Sequence, residues 1–166
     1  MPRFDQGLRV GVTGTNGKTT TAYLIEAGLR AAGHRTYLAS TVEHRFDGVA
    51  MTPPSSFGKT VELLDTLAND GATAFVLECT SFALSKGFAD RVQFNTAVFT
   101  NLTHEHIEQH ESWEHYLASK AQLFVRGLGD TGVAVLNAAD EHAELLDDVI
   151  APGVQRKWYT GVGRGV

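Results

Sequence analysis

The chain has 166 residues, of which 43% are hydrophobic and 20% charged, which suits one globular domain and excludes a chain dominated by disorder. Its net charge of −5, from 14 basic and 19 acidic residues, argues against an extended nucleic-acid surface but allows a local anion site. No apolar run is long enough to span a membrane, and residues 1–10 lack the apolar stretch of a signal peptide. The single cysteine, Cys79, fits a reducing compartment, so we expect a cytoplasmic protein.

Strand and helix patterns alternate along the chain. The predicted strands are residues 8–13, 35–40, 72–77, 94–100, 133–137 and 157–160. The predicted helices are residues 22–32, 59–67, 112–125 and 140–149, of which the first is ended by Gly33 and the third is capped by Ser112. Residues 42–46, followed by Asp47-Gly48, predict a hairpin turn, whereas two prolines exclude regular structure in residues 51–56.

This alternation is typical of an α/β domain, with a mostly parallel sheet and helices on both faces. Ligands of such sheets bind beyond the carboxyl ends of the strands. The glycine-rich tail, residues 161–166, ends without a closing element, so we expect one domain over residues 1–166 that is cut short.

A glycine-rich segment joins the first predicted strand to the first helix. Its backbone N–H groups and the helix start are suited to cradling phosphate, with the lysine reaching the β- and γ-phosphates and the next threonine binding Mg²⁺. The strict phosphate-loop pattern fails, because Val12 stands at its first glycine. A glycine-rich turn with a surface lysine is the weaker alternative, and the segment favours a three-layer, P-loop-type fold. The predicted nucleotide-binding residues are Gly14, Thr15, Asn16, Gly17, Lys18, Thr19 and Thr20.

An acidic residue, Glu78, directly follows the buried strand predicted over residues 72–77. Such a residue beside a phosphate loop is well placed to hold Mg²⁺ through oxygen. Alone the signal is weak, because strand ends often carry acids in contact with water.

Four of the seven histidines lie within residues 104–115, interleaved with glutamates. The segment lacks the H-E-x-x-H pattern of zinc hydrolases, because Glu108 occupies the second histidine position. We interpret most of these four histidines as surface residues of a polar loop, and we expect one of them to be functional.

The helix predicted over residues 112–125 carries an apolar stripe that contains Lys120. A lysine in that position must reach solvent, pair with an acid or lose its charge. Periodicity alone favours a lysine that reaches solvent at the edge of the stripe. A desolvated lysine would instead have a lowered pKa and could react with CO₂ to form a carbamate, which behaves as a carboxylate.

Taken together, these motifs resemble the central ATP-binding domain of the Mur ligases, and most closely the UDP-N-acetylmuramoyl-tripeptide synthetases, which add the third residue of the peptidoglycan stem. The matching segments cover most of the chain in the expected order, and as a set they are highly specific. They are GVTGTNGKTT at 11–20, MTPPS at 51–55, LECTSFAL at 77–84, FTNLTHEHIEQHESWEHYLASK at 99–120 and VLNAADE at 135–141.

The resemblance implies a reaction in which ATP phosphorylates a peptide carboxylate and an amine then attacks the acyl phosphate. It implies ATP and two Mg²⁺ ions, with Lys18, His106 and Lys120 as catalytic residues. Lys120 matches the lysine that the family carbamylates, which favours a buried lysine over one that reaches solvent. The implied metal ligands are Thr19, Glu78, His106 and Lys120.

The resemblance also implies a UDP-sugar-peptide substrate facing Thr52, Pro53, Ser81 and Arg91, and neither a nucleic-acid nor a membrane partner. Several positions depart from the family pattern, including Phe82 in place of a common histidine, and these departures concern the substrate more than ATP. The family usually carries an N-terminal UDP-binding domain and a C-terminal domain, which we expect to be absent from this chain. We therefore expect a fragment that binds nucleotide weakly and does not ligate alone.

Three alternatives stay open at this point. Folylpolyglutamate and cyanophycin synthetases share the loop and the chemistry, although the MTPPS and HEHIEQH segments favour the muramyl branch. A generic P-loop kinase or ATPase would give Lys120 no role. A non-catalytic nucleotide-binding module would keep its function without Lys18.

Overall fold

The computed structural model describes residues 3–103 and 112–160, which form eight strands, six α-helices and a 3-10 turn at Arg3–Gln6. The strands are β1 (Leu8–Thr13), β2 (Thr36–Ala39), β3 (His44–Phe46), β4 (Val49–Met51), β5 (Ala74–Glu78), β6 (Phe94–Phe99), β7 (Leu128–Asn137) and β8 (Gln155–Tyr159). The helices are α1 (Lys18–Ala31), α2 (Phe57–Asn69), α3 (Ser81–Ser85), α4 (Phe88–Val92), α5 (Trp113–Val125) and α6 (Ala143–Val149).

All eight strands form one sheet in the order β4-β3-β2-β5-β1-β6-β7-β8. Strands β2, β5, β1, β6, β7 and β8 run parallel, whereas β3 and β4 form an antiparallel hairpin at one edge. The prediction of a mostly parallel α/β sheet is confirmed. The first strand in the chain lies near the centre of the sheet, so the loop that follows it is flanked by strands on both sides.

The two faces of the sheet pack against different helices. Val10 and Val12 of β1 belong to a small core with Ala22 of α1, whereas Gly11 faces Leu123 of α5. A Cβ added at Gly11 would lie 2.7 Å from the Leu123 side chain, so glycine allows α5 to approach the sheet closely. Helices therefore cover both faces, as predicted, and the larger core lies on the α5 face.

Several boundaries differ from the prediction. The structure has two short helices, α3 and α4, that the sequence did not predict, because five residues carry too little periodicity to identify a helix. Strand β7 begins at Leu128 rather than at 133. Met51 was expected to be irregular, but it pairs with His44 in the hairpin, and only the segment after it lacks regular structure.

The predicted N-cap of α5 and the predicted end of α1 are confirmed, whereas α1, α2 and α6 begin at Lys18, Phe57 and Ala143 rather than at residues 22, 59 and 140. The Ser112 hydroxyl accepts a hydrogen bond from the His115 amide at 3.2 Å and begins α5. Gly33, with φ of 91°, follows the end of α1. Within the described residues, no helix has both the length and the apolar character needed to cross a membrane.

Candidate functional site

The candidate site lies at the edge of the sheet where β1, β5 and β6 end. Val12 of β1 pairs with Glu78 of β5, and Thr13 pairs with Phe99 of β6. The loop at residues 14–17, Glu78 and the segment after β6 therefore start from adjacent strand ends, the place where ligands of parallel sheets bind.

Gly14 makes the turn that leaves β1. Its φ is 146°, and a Cβ at this position would collide with the Thr100 hydroxyl, so both the conformation and the space require glycine. Gly17, with φ of 81°, ends the loop and begins α1. Val12, at the first glycine of the strict pattern, is fully buried inside β1, which explains why no glycine is needed there.

The segment after β6 holds the loop in place. The Thr15 and Asn16 amides donate to the backbone oxygen and side-chain oxygen of Asn101, at 2.8 and 2.9 Å. The Thr100 hydroxyl donates to the Asn16 carbonyl at 2.7 Å. Neither Thr100, the last residue of the strand predicted over 94–100, nor Asn101, which follows it, was predicted to be functional, although a polar residue at a strand end is the signal that identified Glu78.

The start of α1 is suited to an anion. Gly17 is the N-cap and supplies no side-chain acceptor, so the first amides of this 14-residue helix carry no side-chain cap. The Lys18 amine donates to the Thr15 carbonyl at 2.8 Å, which folds the side chain back over the loop. Partial burial lowers the pKa of Lys18, and the charge of Glu78 opposes that shift. Thr20 is exposed on the first turn.

Glu78 contacts the loop directly. Its Oε2 accepts a hydrogen bond from the Thr19 hydroxyl at 2.9 Å, and further bonds from the Thr41 amide and hydroxyl at 3.0 and 3.2 Å. A hydroxyl and a carboxylate oxygen at this distance are the hard ligands that Mg²⁺ takes alongside phosphate oxygens. The pair therefore fits a magnesium ion, and Thr41, at the end of β2, was missed by sequence analysis.

Lys120 lies under the same loop with only 1% of its surface exposed. Its amine donates to the Gly14 carbonyl at 2.7 Å and sits 4.2 Å from the centre of the Tyr116 ring. Burial, followed by the charge of Lys18, lowers the pKa of Lys120 to about 7. The expectation from periodicity, a lysine that reaches solvent, is wrong, because α5 packs this face against the β1 loop.

His106 lies outside the described residues, as do the other residues of 104–111. Of the clustered histidines only His115 is described, on α5. Within the described part of the chain, no group of three or more His, Cys, Asp or Glu side chains could hold a metal ion.

A cleft of about 550 Å³ has Glu78, the hydrogen-bond partner of Thr19, in its wall. His44 is the other titratable side chain in its lining. The remaining polar lining consists of hydroxyl groups, from Ser40, Thr41, Ser55, Ser56, Thr60 and Thr80. Ala39, Pro54, Leu77, Ala83 and Phe88 form the apolar part of the lining, so the cleft suits an extended ligand with both polar and apolar parts.

None of the four residues expected to face the substrate is among those that line this cleft. Thr52 and Pro53 are exposed after β4, next to Pro54, which does line the cleft. Ser81 is the first residue of α3 and follows Thr80, a lining residue. Arg91 is exposed on α4. The structure thus brings Lys18, Thr19, Glu78 and Lys120 together around the loop, whereas these four residues lie outside the cleft lining.

Comparison with protein families identifies one match over most of the chain. Residues 12–164 match the model of the Mur ligase middle domain. Among curated proteins, the chain is 40% identical over 152 residues to the UDP-N-acetylmuramoyl-L-alanyl-D-glutamate–2,6-diaminopimelate ligase of Geobacter sulfurreducens, covering 86% of this chain and 30% of that protein. It is 41% identical over 142 residues to the Streptomyces coelicolor protein of the same name, covering 84% of this chain and 28% of that protein.

Solved structures agree with this match. A structure of a UDP-N-acetylmuramoyl-L-alanyl-D-glutamate–2,6-diaminopimelate ligase superposes with a TM-score of 0.82 at 28% identity, over 95% of this chain and 33% of that one. A folylpolyglutamate synthase of Mycobacterium tuberculosis, complexed with ADP, shares the fold with a TM-score of 0.71 at 14% identity, over 98% of this chain and 45% of that one. The chain spans about a third of the length of the curated relatives it matches.

Proposed function

Because this chain belongs to the Mur ligase family, we propose that it is the ATP-binding domain of a ligase that joins an amino acid to a UDP-N-acetylmuramoyl-peptide. The names of relatives about 40% identical support UDP-N-acetylmuramoyl-L-alanyl-D-glutamate as the acceptor. The full reaction, its substrates and its partner domains are proposals, since the chain covers only part of those relatives.

One observation carries the nucleotide half of this proposal: Lys18, Thr19, Glu78 and Lys120 meet at one loop, although they come from three separate parts of the chain. The Thr19 hydroxyl lies 2.9 Å from Glu78, and the Lys120 amine lies 2.7 Å from the Gly14 carbonyl. An uncapped helix start and a lysine bind phosphate, and the hydroxyl and carboxylate oxygens bind its counter-ion.

In the proposed reaction, an oxygen of the acceptor carboxylate attacks the γ-phosphorus of ATP and the bond to ADP breaks. The amine of the amino acid then attacks the acyl carbon, phosphate leaves, and the amine loses a proton. Lys18 neutralises the β- and γ-phosphates, and the loop amides orient them. Thr19 and Glu78 would hold Mg²⁺, which when bound would screen the γ-phosphate from the incoming carboxylate.

We assign a second ion to His106 and Lys120. A neutral Lys120 amine can attack the carbon of CO₂, forming an N–C bond and releasing a proton, which gives a carbamate. A pKa of about 7 makes a large neutral fraction available for that step at physiological pH. A carbamate would place carboxylate oxygens beside Gly14, where the amine now donates to the carbonyl.

The acceptor is assigned to the cleft beside Glu78, with Thr52, Pro53, Ser81 and Arg91 around it and Arg91 as a partner for an anionic group. The hydroxyl lining supports a polar acceptor. In this assignment the acceptor carboxylate lies on the side of the loop where Glu78 contacts Thr19.

Calorimetric titration of the chain with ATP, with and without Mg²⁺, tests the nucleotide-binding part of the proposal. We expect Mg²⁺ to tighten binding in the unsubstituted chain and Lys18→Ala to weaken it by roughly tenfold or more, because a charge-assisted contact is lost. Glu78→Gln should keep ATP binding and reduce the Mg²⁺ effect. Lys157→Ala, an exposed lysine on β8, is the matched control, and equal losses in the two lysine variants would contradict the proposal.

A further inference from the structure

His44 projects from the first position of β3 toward the cleft. Successive side chains of a strand point to opposite faces, and the neighbouring Arg45 faces α1, where its guanidinium pairs with Glu26 at 2.7 Å. His44 therefore lies on the other face, where it lines the cleft together with Ser40 and Thr41.

A buried tyrosine forms a hydrogen bond with the ring of His44. Its Nδ1 lies 2.7 Å from the hydroxyl of Tyr37, a residue with no exposed surface. Among the described residues, this nitrogen is the one hydrogen-bond partner of the Tyr37 hydroxyl. If Nδ1 carried the proton, the buried tyrosyl proton would have no acceptor, which is costly.

Tyr37 therefore donates to Nδ1, and the proton of a neutral His44 ring is on Nε2. Burial raises the pKa of Tyr37, which keeps its hydroxyl protonated. Burial likewise lowers the pKa of His44, which favours the neutral ring. Within the described residues, no protein acceptor takes the Nε2 proton, so it is available to a ligand.

We propose that His44 is a specificity-determining residue of the cleft, which donates a hydrogen bond from Nε2 to an uncharged carbonyl oxygen of the acceptor. A peptide or acetamido carbonyl is the matching chemistry, since a neutral N–H in the same cleft as the carboxylate of Glu78 is a poor partner for a second carboxylate. The inference rests on the proposed function, because it takes the cleft as the acceptor site.

Two substitutions distinguish the roles of the two ring nitrogens of His44. The amide nitrogen of a Gln side chain lies near the position of the His44 Nε2 atom. The polar atoms of an Asn side chain reach only as far as the position of Nδ1. His44→Asn can thus keep a contact with Tyr37 but has no donor at the Nε2 position, whereas His44→Gln keeps that donor. Circular dichroism of both variants checks that the fold is retained.

The test is an NMR titration of the isotope-labelled chain with UDP-N-acetylmuramoyl-L-alanyl-D-glutamate. We expect the ring nitrogens of His44 to show a proton on Nε2 and none on Nδ1 at pH 7, and the Nε2 signal to shift on binding. The dissociation constant should rise roughly three- to tenfold in His44→Asn, and should change less than twofold in His44→Gln.

The contradicting outcomes fall into two groups. A proton on Nδ1, or a doubly protonated ring in the complex, would overturn the inference, as would an unchanged dissociation constant in His44→Asn. If the acceptor shifted no cleft resonance of the unsubstituted chain, such as those of Thr41 and Thr80, the proposed function itself would fail.

Discussion

Lys120 shows how strongly the surroundings of a side chain decide its chemistry. It occupies a position on α5 from which a lysine could extend to solvent, yet its amine lies beneath the Gly14 carbonyl and against Tyr116. The helical pattern identified the stripe correctly but could not indicate that the loop after β1 covers its end, because that contact joins residues 106 positions apart.

The lowered pKa of Lys120 predicts a pH dependence of stability. In the unfolded chain the amine titrates near its usual 10.5, and in the folded chain near 7. Between these values the unfolded state binds more protons, so the free energy of unfolding should rise with pH, by at most about 1.4 kcal/mol per unit.

Urea unfolding at pH 7.5 and 9 of the unsubstituted chain and of Lys120→Met measures this contribution. When the pH rises from 7.5 to 9, the free energy of unfolding of the unsubstituted chain should increase relative to that of Lys120→Met. Lys157→Met, at an exposed lysine, should show no such shift. Parallel pH profiles for Lys120→Met and the unsubstituted chain would contradict a buried amine.

At the scale of elements, the strand, the glycine-rich loop and the helix at the start of the chain were predicted because each part has a strong local signal, although α1 begins at Lys18 rather than at residue 22. The missed elements have physical reasons: α3 and α4 are one or two turns long, and the hairpin partner β4 has three residues. Such short elements are fixed by tertiary contacts rather than by their own periodicity.

The two glycines of the loop give a matched pair for a prediction at this scale. Gly14→Ala should destabilise the chain by about 2 kcal/mol or more, because the new Cβ meets the Thr100 hydroxyl and φ is 146°. Gly17→Ala faces open space at φ of 81° and should cost only about 1 kcal/mol. Urea unfolding measures both, and equal losses would show that contact with Thr100 does not constrain the loop.

At the scale of the whole molecule, the site depends on strand order. The chain passes from β1 to β2 and β5 on one side, and then to β6 on the other, so β1 ends between two neighbours that come later in the sequence. Local patterns predicted each strand but could not give this order. For the same reason Glu78 was singled out only by its position after a strand and Lys120 only through the family resemblance, whereas Thr41, Thr100 and Asn101, which hold the site together, were not predicted.

The central claim is that one nucleotide and its divalent ion occupy the carboxyl edge of the sheet. Its most direct test is the NMR spectrum of the nitrogen-labelled chain with ATP and Mn²⁺ in place of Mg²⁺, since the paramagnetic ion broadens nearby amides. We predict strong broadening at residues 17–20, at Glu78 and at residues 100–103, reversed by excess Mg²⁺, with Arg9 at the opposite edge unaffected. Broadening centred on Arg9, or none at saturating nucleotide, would contradict the claim.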